Sequence, residues 1–160
     1  VRGRRICYTD PHSTTGYLLP RAALREHGID PDKDLAESLV SGNHLQAIRD
    51  LIEGRCDLAG TFAAAYSRAD QMGVNAARTR VLALTGRTPH DAICAGPGVS
   101  PEDIEKMREA LLAFDPQRDA GVPSLGGFER LTGFSETDDA NYASIRKALD
   151  AERAAALTGD

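Results

Sequence analysis

Asp10-Pro11-His12-Ser13-Thr14-Thr15-Gly16-Tyr17-Leu18-Leu19-Pro20-Arg21 follows the apolar run Ile6-Cys7-Tyr8 and leads into a segment of helical periodicity. A strand, a turn of small hydroxyl residues with a glycine, and a helix N-terminus together make a trap for anions. The first N–H groups of a helix have no intrahelical partner, and the macrodipole places roughly half a positive charge there. Ser13, Thr14 and Thr15 add three hydroxyls, and Gly16 lets a ligand come close to the backbone. The same residues also read as an ordinary N-cap, because Ser and Thr are preferred caps whatever the function.

Working outward, strand and helix patterns alternate. Arg5 to Thr9 reads as a strand and Thr15 to His27 as helical, ended by Gly28. Pro20 cannot donate to the carbonyl four residues back, so either one turn precedes a kink or a second helix starts with Pro20. Glu37 to Ser41 is a short strand. Asn43 then caps a helix whose apolar face is Leu45, Ile48, Leu51 and Ile52. Asp57 to Phe62 reads as a strand, Ala63 to Met72 as helical, and Arg80 to Thr85 and Ala92 to Ala95 as further strands. Ser100-Pro101-Glu102-Asp103 opens a helix with Ile104, Met107, Leu111 and Phe114 on one face. Leu125 to Leu131 and Asp139 to about Leu157 are the last helix candidates. Alternating strand–helix units predict an α/β fold with a mainly parallel sheet.

Composition narrows the function classes. The 160 residues suffice for one domain with a real core, and 41% hydrophobic with 27% charged residues is ordinary for a globular chain. No apolar run approaches the about 18 residues that a membrane span needs. The chain opens at Val1 without Met and shows no signal peptide, so its natural N-terminus is expected to lie upstream. A net charge of −5, with the basic residues scattered, excludes the basic face that a nucleic acid requires. Local N–H donors can still bind a small anion on an acidic protein. Cys7, Cys56 and Cys94 are odd in number, widely spaced and set in apolar, strand-like contexts, so they read as buried free thiols. His12 and His90, with His44 and Asp10, match no metal-ligand spacing, so no metal or cofactor is expected. Tyr17 and Tyr66 read as packing residues. Neither G-x-S-x-G nor a paired-carboxylate arrangement is present, and the chain is expected to be non-catalytic.

Four more segments extend the opening stretch: Arg25-Glu26-His27-Gly28-Ile29-Asp30-Pro31, Val40-Ser41-Gly42-Asn43-His44, Glu53-Gly54-Arg55-Cys56-Asp57-Leu58-Ala59-Gly60, and Arg87-Thr88-Pro89-His90-Asp91-Ala92. In this order they resemble the phosphonate/phosphite-type solute-binding proteins of bacterial ABC transporters. Those type II periplasmic binding proteins carry a D-P-x-S-T-S-G-Y-L-x-P-R turn, an L-x-x-x-G-I-D helix exit, an S-G-x-H helix start, a G-x-x-D-A-G/A strand and a P-x-D return. The likeness covers about residues 3 to 145.

The resemblance implies two lobes that close on a ligand across a hinge. Residues 4–87 would be a second-lobe-like α/β ligand-binding domain, and residues 88–160 a mostly helical segment returning to the first lobe, whose initial half is absent. It implies binding of a small phosphorus oxyanion (phosphonate, phosphite or phosphate) for an ABC permease, in a periplasmic or other extracytoplasmic place. The alternative is a sensing or regulatory domain of a larger signalling protein, in the cytoplasm if fused there. Ser13, Thr14 and Thr15 would hold the oxyanion. His44 would face it, as the matching histidine does in the family, or else be a capping or surface histidine. Asp91 would accept from a protonated oxyanion or an ammonium group, or else be a turn residue after Pro89. In the family an acidic residue after the G-x-x-D strand helps hold an amino group; here that region is Ala63-Ala64-Ala65. The apolar helix face of the returning segment lacks its partner, which predicts a homodimer.

Overall fold

The structure, a computed structural model, describes residues 1–158. Two compact units form: residues 1–88 together with the chain from Tyr142 onward, and residues 89–141.

The first unit is built on three parallel strands, β1 (Arg5–Tyr8), β2 (Glu37–Val40) and β3 (Leu58–Ala59), in the order β2-β1-β3. Successive side chains of β1 point to opposite faces. Tyr8 meets the ring of Tyr17 edge-on at 4.9 Å. Cys7 instead packs beneath Ala47 and Leu51 of α2 (His44–Ile52). The helix α1 (Leu19–Glu26) connects β1 to β2, and α2 crosses back over β1 to β3. Chain progress therefore reverses at β1, which makes the β1/β3 boundary the topological switch point.

The apolar face expected for α2 is used in full. Ile48, with Leu45 and Ile52, packs on Ala69, Val74 and Ala76, which follow α3 (Ala63–Arg68). Leu18 and Leu19 pack against Ile145 and Ala148 of α6 (Ala143–Thr158). Ion pairs close that contact: buried Arg21 donates from Nε to Glu152 at 2.8 Å and from its terminal nitrogen to both Asp32 oxygens, at 2.7 and 2.9 Å. Arg25 donates to Glu152 and Asp32 as well. Burial alone would lower the Arg21 pKa, but its hydrogen bonds to Asp32 and Glu152 outweigh that and raise it.

Within the second unit, α4 (Pro101–Ala113) is capped by Ser100, whose Oγ accepts from the Asp103 N–H at 3.1 Å. The short α5 (Pro116–Ala120) is capped likewise by Asp115. Ile104 and Met107 are exposed, while Phe114 meets the ring of Phe134 at 5.9 Å.

Several expectations need correction. Cys7 and Cys56 are not free thiols; they form a disulfide across 49 residues, with Cα atoms 5.8 Å apart. Pairing of β1 with β3 brings the two cysteines together beneath α2, which no local pattern could reveal. Cys94 is free but exposed rather than buried. Arg80 to Thr85 and Ala92 to Ala95 form no strands, and Leu84 is 87% exposed. Their β-forming sequences find no neighbouring strand, and a strand has no hydrogen bonds without one. Leu125 to Leu131 is not a helix either: Leu125 and Leu131 exchange backbone bonds as an antiparallel bridge around Gly126, at φ +83. Two adjacent glycines disfavour a helix there and permit that turn. Among the described residues no helix is long and apolar enough to cross a membrane.

Candidate functional site

Three loops leave the carboxyl ends of the parallel strands on one edge of the sheet. In open α/β sheets this is where ligands bind, at the switch point.

After β1, the Asp10 carboxylate accepts from the His12 N–H at 2.7 Å and rounds the chain into Ser13. Ser13 Oγ then accepts from the Gly16 N–H at 3.0 Å, the N-cap expected of it. Residues Thr14–Leu18 wind as a π-helix: Leu18 N–H reaches the Ser13 carbonyl at 3.0 Å, and Leu19 N–H reaches Thr14. Single π turns concentrate at functional sites. The N–H groups of Thr14 and Thr15 precede the first intrahelical bond, and so stand at the positive end of the helix.

This loop is jammed into place. A Cβ at Gly16 would lie 1.9 Å from Thr9 Oγ1. One at Gly60, which follows β3, would lie 2.6 Å from the Gly16 carbonyl oxygen. Only glycine fits at either position, and the β1 and β3 loops touch through bare backbone. Thr9 is buried, and its hydroxyl has no hydrogen-bond partner.

After β2, Ser41 and Gly42 donate their N–H groups to the Tyr8 and Thr9 carbonyls at 2.8 and 2.7 Å. Asn43 Oδ1 caps α2 by accepting from Gln46 N–H at 2.9 Å. His44, the first residue of α2, lies with Nδ1 3.3 Å from Thr61 Oγ1 and its ring edge-on to Phe62 at 4.6 Å. Half-buried, it has its pKa lowered by desolvation, so it is neutral at pH 7. With Nδ1 accepting from Thr61, Nε2 would carry the proton and could donate to an anion.

The β1, β2 and β3 loops are thus linked in series through Thr9, Gly42, Gly16, Gly60, Thr61 and His44. Asp91 belongs to the second unit and is exposed in the irregular segment after Pro89. Sequence reasoning missed Thr61, which anchors His44 from 17 residues away, and Thr9. The only local hint was their place at the ends of strands. Asp57 of the G-x-x-D strand faces Arg5: its oxygens accept from the Arg5 side chain and from the Arg5 N–H at 2.9 Å, which holds its pKa down to about 2. It ties β3 to β1. The arrangement offers hydroxyls, N–H groups and a neutral imidazole to a small anion.

Residues 1–142 match the family described as ABC transporter, phosphonate, periplasmic substrate-binding protein. The chain belongs to this family. A curated relative, the phosphate-import protein PhnD of Mycolicibacterium smegmatis, is 25% identical over 168 aligned positions, covering 92% of this chain and 51% of that protein. The chain thus spans about half the length of that relative. The family match runs from before β1 to the 3-10 turn at Asp139–Tyr142, and so takes in all three strand-end loops.

Proposed function

We propose that this chain is the ligand-binding part of a substrate-binding protein that delivers a small phosphorus oxyanion to an ABC permease. One observation carries the reading: the Ser13–Gly16 turn sits at the switch point, fixed against Gly60 and Thr9, with its N–H groups and hydroxyls on the strand-end loop. Ser13, Thr14 and Thr15 would hold the oxyanion, and His44 would donate from Nε2. Residues 4–87 would supply the binding lobe and residues 88–160 the segment returning to the first lobe.

The reading is non-catalytic and extracytoplasmic. The Cys7–Cys56 disulfide supports an oxidising compartment, because reducing cytosols keep such thiols free. The same disulfide weighs against a cytoplasmic sensor domain. The exposed Ile104 and Met107 face would pair two copies, which light scattering tests directly.

Calorimetry with phosphate, phosphite and methylphosphonate tests the site. A hydrogen bond to a charged group contributes about 1.5–3 kcal/mol, so replacing both Ser13 and Thr14 by Ala weakens binding at least about tenfold. Equal affinity in the parent and the double variant would remove the assignment.

A further inference from the structure

Asp50 is 8% exposed and sits on α2, six residues after His44. Its carboxylate is fully engaged: Ser41 Oγ donates to Oδ2 at 2.6 Å, Gln46 Nε2 donates to Oδ1 at 2.6 Å, and Arg55 also donates to Oδ1. Two of those donors bracket His44. Ser41 directly follows β2, and Gln46 is the residue whose N–H Asn43 caps. The segment 41–46 is therefore gripped from below by one carboxylate at both ends. The Ser41 and Gly42 N–H bonds also tie it to the end of β1.

An ordinary helix start does not need this. The Asn43 cap already satisfies the Gln46 N–H without help from Asp50, and burial of a carboxylate is unfavourable unless donors surround it. What the carboxylate adds is a fixed relation between the end of β2 and the first turn of α2, and that relation sets where the His44 ring projects. We propose that Asp50 is a positioning residue for the candidate oxyanion site, acting through Ser41 and Gln46 to hold His44 against Thr61. This rests on the functional reading above for its effect on binding, but not for its effect on His44.

The test uses the whole chain and four variants. Ser41→Ala removes one grip and Asp50→Asn weakens all of them. Ser41→Thr restores a hydroxyl, and Arg55→Ala removes the one donor that does not belong to the segment. Methylphosphonate affinity is measured by calorimetry, and the His44 ring titration by NMR without ligand. Ser41→Ala and Asp50→Asn weaken binding about tenfold, the scale of one charge-assisted hydrogen bond, and move the His44 titration up towards that of a free histidine. Ser41→Thr recovers both readouts, while Arg55→Ala lowers the melting temperature and moves neither.

Wild-type affinity and an unmoved His44 titration in Ser41→Ala would leave Asp50 a purely structural carboxylate and overturn the proposal. If Asp50→Asn does not fold, Ser41→Ala and its threonine rescue decide alone. If the parent chain binds no oxyanion, the functional reading fails while the ligand-free titration still decides the positioning.

Discussion

Residue 20 is a proline, and the carbonyl that its N–H would occupy in an unbroken helix belongs to Gly16. Thr9 N–H takes that carbonyl instead, at 3.3 Å, and Gly60 closes over it. The missing donor is what lets the turn bend back onto the end of β1. Pro20 also ends the need for α-geometry upstream, so residues 14–18 widen into a π turn. A sequence feature that looked like an obstacle to the helix thus shapes the candidate site.

Gly16→Ala should be among the most damaging single changes in the chain. Its Cβ would overlap Thr9, which is buried and has no room to move. Overpacking of this kind costs about 1–3 kcal/mol or more. Pro20→Ala should do the reverse: it restores a donor that competes for the Gly16 carbonyl, leaving stability nearly unchanged while weakening oxyanion binding. Urea titration and calorimetry on the two variants check this. A fully stable Gly16→Ala protein would contradict the close packing.

Reduction of Cys7–Cys56 should destabilise the first unit substantially. The bond closes a loop with a sequence separation of 49. Loop-closure entropy for that length corresponds to about 4 kcal/mol in the chain-entropy estimate. Unfolding in guanidinium with and without a reductant measures it, with a thiol assay to confirm three free cysteines. An unchanged midpoint after full reduction would count against the disulfide as a major support.

These two cases show where the sequence was legible. β1, the Ser13, Asn43 and Ser100 caps and the apolar face of α2 rest on spacings of a few residues, and each formed as the pattern dictates. The Ser13–Gly16 turn could be picked out for the same reason. What failed involves distant partners: the cysteine pair, Thr61 beneath His44, and Glu152 reaching Arg21 across 131 residues. The segments at Arg80–Thr85 and Ala92–Ala95 failed for a related reason, since β-propensity is realised only beside another strand. Leu125–Leu131 failed because the Gly126-Gly127 pair was outweighed by its leucines.

Acidification should separate folding from binding at His44. Burial lowers its pKa below 6.5, so the unfolded chain takes up a proton before the folded one does. This residue's contribution to stability is therefore complete above pH 6.5 and falls as the pH drops below it. A bound anion reverses the preference, because it stabilises the imidazolium; binding is coupled to proton uptake. Affinity should rise as the pH falls below 6.5 in the parent relative to His44→Gln, a comparison that cancels titration of the ligand itself. Parallel pH profiles for the two proteins would show that His44 does not face the anion.

Ligand choice follows from what stands beyond β3. From Leu58 to Ala69 there is no acidic residue, and Ala63-Ala64-Ala65 opens α3. An aminoalkylphosphonate would bring an ammonium group there with no carboxylate to meet it. Such a group loses a charge-assisted bond and is desolvated with less compensation. The Ser67 hydroxyl of this stretch already donates to the Ala64 carbonyl at 3.2 Å. Phosphate, phosphite or methylphosphonate should therefore stabilise the chain more than aminoethylphosphonate at equal concentration. Thermal-shift titration with ethylphosphonate against aminoethylphosphonate isolates the amino group, because the two share the same oxyanion and carbon chain. Greater stabilisation by the amino compound would refute the specificity argument.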